Sequence, residues 1–150
     1  MANSAAICTS FKVEMLNGHH AFGTSVSRGS TAADSFKMAL YFATASIGAG
    51  TTAYSSTGEG TGTGYTAGGS AVTYGTAPTS SGTTAYVTPS ANVQWTGFTM
   101  AAFDGVLLYN TTQSNKAVQT FNIGSQSVTA GTFTLTMPTN DSSNALTRIA

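Results

Sequence analysis

The side chains able to do chemistry are few. Carboxylates stand at Glu14, Asp34, Glu59, Asp104 and Asp141, imidazoles at His19 and His20, and one thiol at Cys8. A glycosidase needs two carboxylates held at a fixed separation across a cleft. These five are scattered, and Asp34, Asp104 and Asp141 sit among turn formers, where a short carboxylate caps backbone amides. Adjacent histidines on an extended segment point to opposite faces, so His19 and His20 do not converge on one metal ion. A Ser-His-acid triad, or a Cys8 thiolate, would have to take its base from those same two imidazoles, and no G-x-S-x-G elbow occurs. Cys8 is therefore expected to be a buried, unreactive thiol. Gly62-Thr63-Gly64-Tyr65-Thr66-Ala67 matches a dinucleotide fingerprint formally. That mechanism requires a helix N-terminus behind the glycines, and Gly68-Gly69 follows instead. The inventory predicts no catalytic residue, no cofactor and no metal, hence a protein that is not an enzyme.

Composition narrows the partners. The chain has 150 residues, 41% hydrophobic and only 7% charged, with five Lys plus Arg balanced by five Asp plus Glu. That length suits one domain with a sizeable core. So few cations release few counterions, which argues against nucleic acid, and equally against an anionic membrane surface. No run approaches the apolar length that spans a bilayer. Met1 to Ile7 lacks a cationic start and an apolar stretch, so synthesis and folding in a cytoplasm are expected.

The elements that must position these residues are read from periodicity. Ser4 to Asn17 predicts one short helix, with Ser4 as N-cap, Gly18 as the stop, and Ile7, Cys8, Phe11 and Met15 along one stripe. Beyond it the period becomes two. Phe36, Met38, Leu40 and Phe42 alternate with Lys37, Ala39 and Tyr41, predicting a strand with one strongly apolar face. Further strands are expected around Val72 and Tyr74, Ala85 and Val87, and Val93 and Trp95. Val106 to Tyr109 is a continuous apolar run, as in a central strand covered on both faces. The polar stretch Asn110 to Asn115 turns the chain into Ala117 to Ile123, and Phe133, Leu135 and Met137 form a last strand ended by Pro138. Seven or eight short strands without helical crossovers predict an all-β, single-domain antiparallel β-sandwich or jelly roll with one short N-terminal helix. The organisation expected is a helical arm at 1–18 and a β-sandwich at 19–150. Between Tyr54 and Ser70, alternating glycines imply either a mobile loop or a backbone pressed against another surface.

Charge poverty leaves little like-charge repulsion between copies, so self-association is expected. Ile7, Phe11 and Met15 on the helix stripe, with Tyr54 and Tyr65 in the glycine-rich region, are the candidates for subunit contacts. The same tyrosines could instead stack on a glycan.

The segments Cys8 to His19, Phe36-Lys37-Met38-Ala39-Leu40-Tyr41 and Gly62 to Gly69, with Gly131 to Pro138 and Asn144-Ala145-Leu146, together resemble a family of small proteins. That family is encoded among the structural genes of tailed bacteriophages and prophages. The resemblance implies a virion component synthesised in the host bacterial cytoplasm, with capsid or tail subunits as partners. Its leading form is a homo-oligomeric capsid decoration or cement protein. The alternative is a tail, neck or baseplate component, or a fibre module contacting a host glycan.

Overall fold

A computed structural model describes residues 3–8, 11, 15, 19–24 and 32–149. The chain is all-β. Its strands are β1 (Ala6–Ile7), β2 (Phe36–Phe42), β3 (Ser70–Val72), β4 (Thr79–Ser81), β5 (Thr84–Val87), β6 (Val93–Asn110), β7 (Lys116–Leu135) and β8 (Thr147–Ile149). They form two antiparallel sheets, a five-stranded one ordered β1-β7-β6-β2-β3 and a three-stranded one ordered β4-β5-β8.

The centre is the hairpin β6–β7, closed by the polar turn expected at 110–115, where Ser114 and Asn115 adopt positive φ. Fully buried Asn110 holds this turn, its Oδ1 accepting the amides of Thr112 and Gln113, each at 3.1 Å. Residues Val106 to Tyr109 are covered on both faces, as their apolar run predicts.

The strands expected separately at Val93–Trp95 and Val106–Tyr109 are one strand of 18 residues, and those at Ala117–Ile123 and Phe133–Leu135 one of 20 residues. The correction has a physical cause. Inward side chains of β6 fall at Trp95, Phe98, Met100, Phe103 and Val106, so three steps of three interrupt the period of two. Register shifts in the β6–β7 pairing coincide with these steps, and Gly97 and Ala102 there have positive φ. Each bulge inserts a residue, returns the next apolar side chain to the core face and bends the strand. Neighbouring hydroxyls satisfy two amides at such points: Ser127 Oγ accepts from Ala102 at 3.1 Å and Thr99 Oγ1 from Ala130 at 2.8 Å.

The bends fold the hairpin over itself. Phe103 lies opposite Gln126 and Trp95 opposite Phe133. Gln126 and Phe133 would be about 23 Å apart on a straight strand. Yet the rings of Phe103 and Phe133 meet edge to face with centroids 4.9 Å apart. Leu135, near one end of the hairpin, likewise lines the same cleft as Val106 and Phe121 near the other. The far half thus covers the near half, burying Trp95, Phe98 and Phe103 between them.

The N-terminal helix expected over Ser4–Asn17 is corrected at its start, because Ala6 and Ile7 pair with Thr120 and Gln119 of β7. Long-range hydrogen bonds override local propensity here. Ser4 N donates to the Ile47 carbonyl at 3.2 Å, and Thr120 Oγ1 donates to the Ser4 carbonyl at 2.8 Å. Buried Asn3 adds bonds to Phe42 O, Ile47 N and Asp104 Oδ1. Ala6 and Ile7 are therefore a strand of the main sheet, and Asn3, Ser4 and Cys8 are hydrogen-bonded beside it. Phe11 and Met15 have helical backbone; the rest of the expected helix, 9–10, 12–14 and 16–17, lies outside the described residues, as does Gly18.

Candidate functional site

The strand β2 carries Ala39 and Tyr41 on the face predicted to be the less apolar one, yet both are buried. What covers them is the chain from Ala43 to Gly69. The alternating glycines in this segment are pressed against the sheet. A Cβ on Gly62 would strike the Thr99 carbonyl, and one on Gly69, at φ +73°, would strike that of Met38. Close backbone approach, rather than a mobile loop, is what the glycine run provides.

Glu59 sits at the centre of this cover, 5% exposed. An isolated bridge joins it to Tyr41, and the amide of Gly60 donates to the Leu40 carbonyl at 2.8 Å. One carboxylate oxygen accepts from the Tyr65 hydroxyl and from the Gly68 amide, each at 2.7 Å, while the other accepts from the Tyr54 hydroxyl at 2.6 Å. Tyr65 in turn accepts the Leu40 amide at 2.9 Å. The Tyr109 hydroxyl donates to the Gly68 carbonyl at 2.7 Å, and its ring stacks on Tyr54 with centroids 4.8 Å apart. Tyr41 donates to the Ser55 carbonyl at 2.6 Å. One buried carboxylate and four phenols thus bind the glycine segment to β2 and β6. Three short donors offset the large cost of removing the carboxylate from water.

Burial, and then proximity to Glu59, raises the Tyr54 and Tyr109 phenols above their ordinary value. Burial also raises Tyr65 and Tyr74, and pushes Tyr41 up to about 12. A phenol whose folded pKa exceeds its unfolded value of about 10 stabilises the fold fully below that pH and loses the contribution as pH rises. For Tyr41 the loss runs between about pH 10 and pH 12. We expect cooperative alkaline unfolding in this window. It should be visible as a steep rise in phenolate absorbance coincident with loss of β-type circular dichroism. Gradual ionisation of Tyr41, Tyr54, Tyr65 and Tyr109 with the fold intact would contradict the network.

The other candidates serve local structure. Asp34 accepts from Ala21 N at 3.2 Å, Asn110 Nδ2 at 2.8 Å and Gln113 Nε2 at 3.2 Å, fastening the hairpin turn. Asp141 accepts the amides of Ser143 and Asn144 and the Asn144 side chain, whose hydrogen bonds hold its carboxyl below the usual range. His20 packs edge-on against Phe11, with Nδ1 3.2 Å from Asn110 Nδ2. Cys8 is fully buried, its Sγ directed at the Gly48 carbonyl. Glu14 lies outside the described residues. Among the described residues no group of three or more His, Cys, Asp or Glu side chains could hold a metal ion, and no helix is long and apolar enough to cross a membrane.

The five residues expected at subunit contacts are engaged within the chain. Phe11 is fully buried against His20 and Phe22. Ile7 is half-buried in β1, and Met15 lines an apolar cavity of about 200 Å³ with Phe22, Pro78, Ala85 and Val87. Tyr54 and Tyr65 are half-buried on Glu59, and the Tyr65 ring lies near Trp95 and Phe98. Sequence reasoning missed Glu59 as the centre. Its signal was a lone carboxylate between Gly58 and Gly60, two positions where the backbone meets the side chains of Ala45 and Met100.

No family model, curated protein or solved structure matches this chain.

Proposed function

We propose that this chain is a non-catalytic structural subunit of a tailed-phage particle, acting as a capsid decoration or cement protein. One observation carries the reading most directly. The far half of the β6–β7 hairpin turns outward an uncharged surface of hydroxyls and amides, with Gln94 and Thr96 of β6 and Ser127, Thr132 and Thr134 of β7 exposed, and no ionisable side chain lies between Lys116 and Asp141. A surface without charge has weak protection against association and suits contacts repeated by symmetry. The buried carboxylate Glu59 supports the same reading, because its partners are tyrosines and an amide that fasten the fold. The sequence resemblance supplies the particle.

The function follows from mass action. Contacts made only in the assembled lattice stabilise that lattice over its dissociated subunits. The subunit is made in the host bacterial cytoplasm and ends in the virion, with capsid proteins and copies of itself as partners.

Quantitative mass spectrometry of purified particles tests this. Decoration predicts copies on the order of hundreds per particle, as shell symmetry requires. Roughly a dozen copies would move the chain to the tail, neck or baseplate, and its absence from particles would remove the reading altogether.

A further inference from the structure

We infer that the outer edge of β7, from Gly131 to Leu135, pairs antiparallel with the same edge of a second copy of this chain. The inner edge of β7 is taken by β6 along the length of the hairpin. On the outer side β1 covers Gln119 and Thr120, Cys8 N donates to the Val118 carbonyl, and the 52–53 segment meets Lys116 and Ala117; among the described residues no strand pairs with the outer edge from Ser125 to Leu135. A free edge presents unpaired amides and carbonyls, a template for another strand.

Proteins usually blunt such an edge with lysines, prolines, bulges or a covering element. Here the side chains supply no such defence. Along the chain the flanking charged residues are Lys116 and Asp141, and the nearest proline, Pro138, lies beyond the strand. Bulge-type residues with positive φ occur at Gly124 and Ala130, but from Gly131 to Leu135 the strand advances without an inserted residue. In that stretch Thr132 and Thr134 are exposed while Phe133 and Leu135 are half-buried, so the register of inward and outward faces is fixed.

Charge selects the occupant. Two identical edges related by a twofold axis bring like residues together, which a charged edge resists and a threonine edge permits. A neutral edge on a chain of formal net charge +0 is therefore matched to itself. The inference deepens the assembly reading and takes its purpose from it, by naming the surface through which copies join.

The test compares the intact chain with a Thr132→Lys/Thr134→Lys variant by sedimentation and by amide hydrogen exchange. Both positions are exposed, so unchanged circular dichroism and melting temperature confirm that the variant folds. The wild type should sediment as a dimer or larger and the variant as a monomer. Exchange between Gly131 and Leu135 should be at least roughly tenfold slower in the wild type at alternate amides. A wild type monomeric throughout, a variant that still associates, or an edge that exchanges equally fast in both overturns the inference. Its failure is separable from that of the particle reading. A protein abundant in particles with an unprotected β7 edge loses the edge alone. A dimer that never enters a particle keeps the edge and loses the particle.

Discussion

Replacing Glu59 with alanine is expected to lower the unfolding free energy by about 3–5 kcal/mol, the scale of breaking a buried polar network by removing one member. Three donors would lose their acceptor together: the hydroxyls of Tyr54 and Tyr65 and the amide of Gly68. The Gly68 amide cannot turn to water without lifting the glycine segment from β2 and β6, because Gly62 and Gly69 lie directly against backbone carbonyls of those strands. For a chain of this size each kcal/mol shifts the melting temperature by about 2–4 °C, so a drop on the order of 10 °C is expected. Glu59→Gln keeps the shape and one acceptor oxygen and should cost less, about 1–3 kcal/mol. Thermal melts of the two variants check the order. Equal and negligible losses would mean that the carboxylate is incidental to the fold.

Phe103→Ala should cost a comparable amount, about 3–5 kcal/mol. The ring is fully buried and meets Phe98 with centroids 5.7 Å apart and Phe133 at 4.9 Å, both edge to face. It sits where the hairpin bends back, so its removal opens a cavity between the two halves. A specific consequence follows for the pair. If the halves are joined through this contact, Phe103→Ala and Phe133→Ala combined should cost less than the sum of the two, by about 0.5–3 kcal/mol. Denaturant unfolding of the two single variants and the double variant measures this. Strict additivity would place the two rings in independent environments and contradict the folded-over hairpin.

The same residues show how far the sequence reached. The strand at Phe36–Phe42 was legible because Phe36, Met38, Leu40 and Phe42 recur at every second position of its sequence, although the structure buries Ala39 and Tyr41 on the other face as well. The turn at 110–115 was legible from its composition, and the central run Val106–Tyr109 from its continuous apolarity. The interior of the glycine segment was half legible: alternating glycines require close approach or mobility, and composition does not distinguish the two. Glu59 was not legible as a buried centre, since its three donors come from positions five, six and nine residues away. They converge only because β2 and β6 supply the surface against which the segment coils.

The sequence by itself determined the all-β class, the placement of the central strands and the scarcity of groups suited to catalysis. These follow from local periodicity and from counting, which need no knowledge of what lies across a sheet. Tertiary structure decided three other things. It fused four expected strands into one long hairpin, because bulges at Gly97 and Ala102 restore the inward face after each break in the period, and only cross-strand pairing reveals the inserted residue. It made Ala6–Ile7 and Thr147–Ile149 into strands too short to carry a period, fixed by partners distant in the chain, and Thr79–Ser81 into an equally short one paired in a tight hairpin with Thr84–Tyr86. It also drew Glu59 inside, because a buried carboxylate is stable only where several donors have already been brought together, and that is a property of the packed fold.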